Sequence, residues 1–346
     1  MPKLVVDVTT MTLVTSFDNA AAGSGRPALH RPIVFALPLH NRFRGITVRE
    51  GVLLRGPAGW GEFSPFRDYG DADAVPWLAS AREAVTEGWP EPVRDTVEVN
   101  TTVPVVSPER AHELVAASGC RTAKVKVADP RSSTTEDCRR VEAVRDALGP
   151  GGAIRVDANA AWDVDEAVTA LRELDRAAHG LEYAEQPCPS VEDLAAVRRR
   201  VDVRIAADES IRRADDPLRV AVAGAADVAV LKAAPLGGVR RALQVAEACG
   251  LPCVVSSAVD SSVGLAAGLA LAGALPSLDF ACGLGTASLL TGDVTSNPLS
   301  PVDGRLPVPR TAPEPDLVDQ HAADTDTAQW WSERLRRVGA LADGSA

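Results

Sequence analysis

Six charged residues end or directly follow strand-like apolar runs in the middle of the chain. They stand in AKVKVA, IRVDAN, LEYAEQ, VRIAADES and DVAVLK and are Lys124, Lys126, Asp157, Glu185, Asp208 and Lys232. The last four follow one another at intervals of roughly 25 residues, close to the length of a strand, a helix and two short loops. They therefore fall at the C-terminal ends of successive parallel strands. In a (β/α)8 barrel this is the edge that carries the active site.

The three carboxylates, Asp157, Glu185 and Asp208, come from three successive predicted strands and could meet at one point. Three hard oxygen ligands without His or Cys suit Mg²⁺, with Mn²⁺ as a substitute ion. Any one of them alone could cap a following helix or pair with a surface lysine. Three at matching strand ends, with lysines on both sides, favour a metal site.

The lysines predict a general base. Side chains alternate along a strand, so Lys124 and Lys126 share one face, and Arg155 shares one with Asp157. A lysine inside a barrel is costly unless it is paired or functional, and nearby cations depress its pKa. With Lys232, Arg155 and a metal ion, positive charge exceeds the carboxylates. Such a site favours a small dicarboxylate substrate and proton abstraction next to a carboxylate.

Eight apolar runs from residue 97 to 289 alternate with helical patterns, which predicts an α/β (β/α)8-type barrel. The runs begin with VEVNTTVPVV and end with PCVVSS and LDFACGL. The predicted helices are 108–118, 135–148, 163–178, 190–200, 215–223, 238–249 and 262–274.

Residues 31–96 predict an α+β capping domain ahead of the barrel. Two strands, IVFALPL and ITVREGVLLRG, are separated by HNRFRG, which is predicted to be a short basic loop. The stretch GPAGWGEFSPF is rich in turn formers and predicts an irregular loop, and 71–89 predicts a helix. The segment 290–346 ends in the amphipathic QWWSERLRRV and is predicted to pack on the capping domain, with Trp330 and Trp331 as buried anchors.

Composition excludes several classes of protein. A net charge of −11 and a pI near 5.0 argue against nucleic acid or an anionic membrane as a partner. Six cysteines without a CxxC pair predict free thiols in a reducing cytoplasm. We identify no export signal and no membrane span, and the apolar 263–276 segment predicts a packed barrel helix. Residues 1–30 predict an N-terminal extension, in which VVDVTTMTLVTSF could be a strand and NAAAGSGRPALHRP is linker-like. We expect a monomer or a small homo-oligomer.

The ordered set KVK, DAN, EQP, DES and LKAAPLGG resembles the enolase superfamily, in its muconate-lactonizing subgroup. Within it, NRFRGITVREGVLLRGPAGWGEFSPF resembles the o-succinylbenzoate synthase family of actinobacteria. The resemblance implies Mg²⁺ on the three carboxylates and dehydration of 2-succinyl-6-hydroxy-2,4-cyclohexadiene-1-carboxylate to 2-succinylbenzoate, a cytoplasmic step of menaquinone synthesis. It implies that Lys126 is the base and then the acid, that Lys232 stabilises the metal-bound enediolate, and that Lys124 tunes Lys126 and contacts the substrate carboxylate.

A further set of residues is predicted to contact the substrate. They are Arg155, Asn159, Ser256, Ser261, Ser262, Gly264 and Arg44. The serines and the glycine lie around a strand end and a helix start, where they could hold the distal carboxylate or only cap the helix. Arg42 and Arg44, in the loop 40–45, could close over the substrate or be solvated.

Other functions use the same residues. Lysines on two opposite faces are also what racemisation needs, so an N-succinylamino-acid racemase or a dipeptide epimerase stays open. Arg155 and the compact capping loop favour the lyase, and a cycloisomerase fits less well. A non-catalytic metal-binding descendant would be expected to lose a lysine or a ligand, yet all six positions are occupied.

Overall fold

A computed structural model describes residues 31–212, 219–308 and 310–344. The predicted N-terminal extension, 1–30, lies outside the described residues, as does the first part of the predicted helix 215–223. Within the described ranges no helix combines the length and the apolar character needed to cross a membrane.

The capping domain begins with a three-stranded antiparallel sheet. Its strands are β1 (Ile33–Phe43), β2 (Ile46–Gly56) and β3 (Gly59–Phe63). The prediction of a basic loop at HNRFRG is wrong, because β1 runs to Phe43 and only Arg44 and Gly45 make the turn. Both have positive φ, 48° and 82°, as tight hairpin turns require.

The prediction of an irregular loop at GPAGWGEFSPF is also wrong, because this stretch contains β3. Two of its three glycines, Gly56 and Gly61, pack closely against the following helix, α1 (Asp71–Thr86). A Cβ on Gly61 would lie 2.6 Å from the carbonyl oxygen of Ala81. A glycine in a strand therefore marks a close approach of two backbones at this point and not a break in the strand.

In the part of the chain that the structure describes, the barrel contains seven parallel strands, each paired with the next along the chain. They are β5 (Thr101–Val103), β6 (Thr122–Lys126), β7 (Ala153–Asp157), β8 (Tyr183–Glu185), β9 (Ile205–Ala207), β10 (Val228–Leu231) and β11 (Cys253–Val255). The preceding β4 (Thr96–Glu98) leaves the barrel and pairs antiparallel with β12 (Arg305–Pro307), so only the second half of the predicted first strand contributes.

The predicted eighth strand, LDFACGL, is reduced to Cys282 and Gly283. Cys282 pairs with Val99 and Gly283 with Ser256, both in parallel orientation. These two residues stand between β11 and the chain entering β5, so they close the ring. The predicted barrel-type α/β fold with a capping domain is confirmed.

Helices connect the strands and cover the barrel. They are α2 (Pro108–Ser118), α3 (Thr134–Leu148), α4 (Val164–Ala178), α5 (Val191–Arg198), α6 (Glu209–Arg212), α7 (Arg219–Val222), α8 (Ala233–Leu236), α9 (Val239–Cys249) and α10 (Ser262–Ala274). The longer helices α2 to α5 and α10 begin where a Ser or Asp side chain accepts a hydrogen bond from a backbone N–H of the first turn, which explains why their starts were predictable. The short α8, in LKAAPLGG, was not predicted.

The C-terminal segment returns to the capping domain through α11 (Pro315–Gln320) and α12 (Thr325–Ala342). Helix α12 packs against α1, and Trp331 joins the buried cluster that contains Phe63 and Trp77. The rings of Phe63 and Trp331 meet edge to face at 6.0 Å. Trp331 is buried, whereas Trp330 is only half-buried, so one of the two predicted anchors is fully enclosed.

Candidate active site

Strand register brings the predicted catalytic residues to one edge of the barrel. Lys126 is opposite Asp157, and Asp157 is opposite Glu185, each the last residue of its strand. Asp208 and Lys232 come one residue after the ends of β9 and β10. All five therefore lie at the C-terminal ends of the strands, and the two lysine-bearing strands, β6 and β10, flank the three that carry the carboxylates.

Lys126 is bound by residues from the end of β7. Its Nζ donates to Asp157 Oδ2 at 2.5 Å and to Asn159 Oδ1 at 2.8 Å. The backbone N–H of Asn159 in turn donates to Asp157 Oδ1 at 3.0 Å. The ammonium group is therefore held in one position by two acceptors that are themselves linked.

The other two lysines also contact carboxylates of the set. Lys124 Nζ lies 2.9 Å from both carboxylate oxygens of Glu185 and 3.4 Å from Asp157. Lys232 Nζ donates to Asp208 Oδ2 at 2.6 Å. The three carboxylates are at most 1% exposed, so charge balance inside the site depends on these lysines.

Burial and neighbouring charges shift the pKa values in different directions. Burial lowers the pKa of Lys126, and the adjacent Lys124 lowers it further, despite the attraction of Asp157. Burial also acts to lower the pKa of Lys124, but Glu185 and Asp157 outweigh it and the pKa lies above its ordinary value. Burial, together with the charge of Asp157, raises the pKa of Glu185 to about 7. The two lysines of β6 thus differ: the pKa of Lys126 is lowered, whereas the pKa of Lys124 is raised.

Gln186, which the sequence analysis did not single out as a separate residue, links the ends of β8 and β9. It is fully buried with a φ of 39°, and its Oε1 accepts the backbone N–H groups of Asp208 and Ser210 at 2.9 and 3.1 Å. Its Nε2 donates to Ser210 Oγ and to Cys188 O. The side chain thereby holds the backbone of Asp208.

The donor set fits Mg²⁺ in its chemistry, because Asp157, Glu185 and Asp208 offer only buried carboxylate oxygens. In the described part of the chain, no group of three or more His, Cys, Asp or Glu side chains stands arranged to hold a metal ion. Lysine ammonium groups bind the same carboxylates. Metal binding would require these oxygens to exchange an ammonium contact for the ion.

A small cavity of about 40 Å³ lies over these residues and adjoins an open cleft of about 240 Å³. Three predicted substrate contacts, Asn159, Ser256 and Arg44, line the cavity. The cleft shares Arg44, Phe43, Lys126 and Asn159 with the cavity and also contains Arg42. The cleft is therefore the opening of the site, between the β1–β2 turn and the loop after β6.

The other predicted serine and glycine contacts do not line the cavity. Ser261 Oγ donates to a carboxylate oxygen of Glu62, and the N–H of Gly264 donates to the same oxygen at 3.2 Å. Ser262 Oγ donates to Asp293 at 2.6 Å and is fully buried. Their hydrogen-bonding groups join the start of α10 to other segments, and their contact with substrate stays a prediction.

Arg155 likewise lies away from the cavity, and its contact with substrate stays a prediction. It is fully buried and forms an ion pair with Glu182, and its Nη1 donates to Asn100 Oδ1 and to Ala281 O at 3.2 and 2.6 Å. Its guanidinium lies 4.6 Å from the ring centre of Tyr183. The residue lies one inward-facing position below Asp157 and does not line the cavity. It therefore gives no basis for preferring a lyase to a racemase.

Other cavity residues were missed from the sequence, among them Phe43, Phe66, Thr102 and Thr286. The ring centre of Phe43 lies 5.3 Å from Lys126 Nζ, and the ring centre of Phe66 lies 4.6 Å from the guanidinium carbon of Arg44. Only Thr102 could have been found, because it stands in the strand next to Lys124 and is opposite Lys124 in the register of β5 and β6.

A barrel whose strand ends carry facing lysines and carboxylates, covered by an α+β domain, has the architecture of the enolase superfamily. Models described as "Enolase N-terminal domain-like" and "Enolase C-terminal domain-like" match residues 34–85 and 107–313.

Two relatives are much more similar. The o-succinylbenzoate synthase of Thermobifida fusca (strain YX) is 63% identical over 298 residues, which are 86% of this chain and 92% of the relative. The o-succinylbenzoate synthase of Mycolicibacterium smegmatis is 53% identical over 323 residues, 92% of this chain and 99% of the relative. The chain belongs to the o-succinylbenzoate synthase family of the enolase superfamily, and it is an enzyme, a carbon–oxygen hydro-lyase.

Solved structures agree on the fold. The L-Ala-D/L-Glu epimerase of Bacillus subtilis matches with a TM-score of 0.71 at 25% identity, covering 82% of this chain and 96% of that one. The dipeptide epimerase of Enterococcus faecalis V583, complexed with Mg and the dipeptide L-Leu-L-Tyr, matches with a TM-score of 0.69 at 22% identity, covering 82% and 97%.

Proposed function

We propose that this enzyme converts 2-succinyl-6-hydroxy-2,4-cyclohexadiene-1-carboxylate to 2-succinylbenzoate, a step of menaquinone synthesis in the cytoplasm. The observation that carries the mechanism is the placement of Lys126 and Lys232 on opposite sides of three buried carboxylates at the strand ends. Support for the substrate comes from the two relatives at 63% and 53% identity.

Lys126 removes the proton from the carbon next to the substrate carboxylate. The electron pair of that C–H bond moves into the carboxylate group and gives an enediolate. The ammonium of Lys126 then returns the proton to the departing hydroxyl group on the same face, so water leaves and the ring becomes aromatic. Its contacts with Asp157 and Asn159 orient Nζ for both steps.

Lys232 acts as a fixed cation on the other side. Its ammonium is nine-tenths buried and paired with Asp208, so it meets developing negative charge without reorganisation of solvent. Lys124, held by Glu185 and Asp157, keeps a positive charge beside Lys126 and favours the neutral base.

Asp157, Glu185 and Asp208 are the residues that would hold Mg²⁺. The bound ion would supply positive charge next to the substrate carboxylate. The E. faecalis epimerase, which shares this fold and is complexed with Mg, supports Mg²⁺ as the ion. Mg²⁺ should raise the melting temperature of the wild-type protein and not that of Glu185→Gln, and Mn²⁺ should replace it. Equal stabilisation of both proteins would contradict the assignment.

The test of the function is a paired assay with Mg²⁺. One arm follows the ultraviolet absorbance of the cyclohexadiene substrate as it aromatises, and the other follows the optical rotation of N-succinyl amino acids. We expect fast dehydration, and a loss of roughly 10³-fold in kcat for Lys126→Ala. Dehydration that survives Lys126→Ala within a few-fold would overturn the role of the lysine.

A racemase or dipeptide epimerase activity is the second candidate. It is favoured by the lysines on opposite sides and by the similarity to the B. subtilis epimerase. Racemisation without dehydration would replace the main proposal. Comparable rates in both arms would assign two reactions to one site.

A further inference from the structure

A buried ion pair on α3 lies directly behind the strand end that carries Lys126. Asp137 and Arg140 contact each other and are each 2% exposed. Arg140 Nη2 donates to the backbone carbonyl of Lys126 at 3.1 Å, and Nη1 donates to Val106 O at 3.4 Å. The guanidinium thus ties the end of β6 to the chain that leaves β5.

Asp137 holds the residues that follow. Its Oδ2 accepts the backbone N–H of Ala128 at 2.9 Å, and its Oδ1 accepts Ser132 Oγ at 2.8 Å. Ala128 has a φ of 61°, a conformation that a residue with a Cβ rarely adopts and that persists only where its surroundings hold it. The pair therefore fixes the backbone on the carbonyl side of Lys126 and two residues beyond it.

Helix capping does not explain this arrangement. The start of α3 is already capped by Ser133, whose side chain accepts from the N–H of Glu136, while Glu136 accepts from the N–H of Ser133. Asp137 and Arg140 direct their hydrogen bonds away from the helix, to the strand ends and the loop. A buried ion pair is costly to desolvate, so its groups are expected to have a specific use.

We propose that Asp137 and Arg140 are positioning residues for Lys126. They hold the backbone at the end of β6 so that Nζ of Lys126 keeps its place against Asp157 and Asn159. This inference rests on the proposed function, in which Lys126 is the base. A displacement of about 1 Å at a reacting group can cost roughly 10²-fold in rate, so a small relaxation of this backbone would be measurable.

Arg145 provides a matched control on the same helix. Its Nε donates to Ala178 O at 2.7 Å, and its Nη1 donates to Gly149 O and Gly152 O at 2.8 and 2.7 Å. Like Arg140, it binds backbone carbonyls of neighbouring segments, but at the opposite end of the barrel. The variants Arg140→Met and Arg145→Met therefore remove the same kind of contact, the first next to Lys126 and the second far from it.

We expect Arg140→Met to lower kcat by roughly 10- to 100-fold with KM within about three-fold, and Arg140→Lys to restore part of the loss. Arg145→Met should lower the melting temperature and leave kcat within about two-fold. Hydrogen exchange of the peptide containing Val127 and Ala128 should accelerate in Arg140→Met and not in Arg145→Met. This exchange is measured without substrate and so does not depend on turnover.

Equal kcat values for the two methionine variants, corrected for the folded fraction, would overturn the proposal. If Arg140→Met does not fold, Asp137→Asn replaces it, since the amide cannot satisfy Ala128, Ser132 and Arg140 together; an unchanged kcat there would also overturn it. The variant Lys126→Ala distinguishes a failure of the proposed function from a failure of the positioning role. Activity that survives in Lys126→Ala contradicts the proposed base, whereas loss there with no effect at Arg140 contradicts only the positioning role.

Discussion

The two ends of the barrel use left-handed backbone differently. In the described chain, eight non-glycine residues have positive φ, and five of them lie at the C-terminal strand ends, where the site is. These five are Ala128, Asn159, Ala160, Gln186 and Val259. At the N-terminal end, the corresponding turns after α2, α3 and α9 use Gly119, Gly149 and Gly250, with His179 as an exception.

This difference between the two ends shows where side-chain hydrogen bonds hold the backbone in place. Glycine adopts positive φ without steric cost, so the N-terminal turns need no further support. At the site, residues with a Cβ are held by specific contacts, such as Asp137 at Ala128 and Asp157 at Asn159. Strained backbone is expected where a functional side chain must keep one orientation. In this enzyme the strained non-glycine residues are concentrated at the C-terminal ends of the strands, where the candidate site lies.

The ionic interactions differ in the same way. At the site, lysines pair with buried carboxylates. At the N-terminal end, arginines bind carbonyls that helices leave unpaired: Arg94 Nη1 donates to Ala272 O and to Leu275 O at 2.5 and 2.6 Å. The lysine–carboxylate pairs place buried charges at the candidate site. The arginine–carbonyl contacts satisfy hydrogen-bond acceptors at helix ends.

The largest expected effect is at the site. Lys232→Ala should lower kcat by roughly 10³-fold, because it removes the buried cation opposite Lys126. Steady-state kinetics with circular dichroism would check this, with retention of the folded spectrum as the control. Activity within ten-fold of wild type would show that Lys232 only balances the charge of Asp208.

A smaller effect concerns the contact between the capping domain and α10, on the same side as the site. Burial and the nearby Asp260 raise the pKa of Glu62 to about 7, against the attraction of Arg49. The folded state therefore holds this proton to a higher pH than the unfolded state, so the contribution of Glu62 to stability is lost as pH rises from about 4.5 to 7.

Replacing Glu62 with Gln should remove this dependence. Between pH 5 and pH 8 the stability of Glu62→Gln relative to wild type should increase, by at most about 3 kcal/mol. Denaturant unfolding at several pH values would measure the difference. A constant difference between the two proteins across this range would contradict the shifted pKa.

At the N-terminal end we expect loss of stability without loss of catalysis. Arg94→Met should lower the free energy of unfolding by about 2 kcal/mol, because carbonyls at the end of α10 lose a charged donor. The value of kcat, measured on the folded fraction, should stay within about two-fold. A large fall in kcat with an unchanged melting temperature would contradict the assignment of stability to the N-terminal end and of catalysis to the C-terminal end.

The smallest expected effects test the left-handed positions directly. Gly119→Ala should cost about 1 kcal/mol, since φ is 66° and an added Cβ would meet only ordinary contacts, at 3.7 Å or more. Ala128→Gly should change stability by less than about 1 kcal/mol, because relief of strain and greater freedom of the unfolded chain oppose each other. Thermal unfolding of both variants would check this, and a loss at Ala128 larger than at Gly119 would contradict it.

Local patterns predicted the parts of the fold whose causes are local. Ser107, Ser133 and Asp163 cap the helices that follow them, and the predicted helix starts agree within a residue or two. The β3 strand was missed because its glycines read as turn formers. Gly61 is instead required by the approach of α1, whereas Gly59, with a φ of 135°, does lie at the turn between β2 and β3. The reduction of the eighth strand to Cys282 and Gly283 depends on how the ring closes, which no local pattern records.

The same division holds for the site. By itself, the sequence determined the barrel and the lysines and carboxylates at its strand ends, because the two-residue alternation and the length of each strand–helix unit place them there whatever the distant contacts are. Only the tertiary structure decided which polar residues face the cavity. Ser261 meets Glu62, which is 199 residues away, and Arg155 meets Glu182 and the segment at Ala281. Such pairings are set by packing between remote segments, and spacing along the chain carries no record of them.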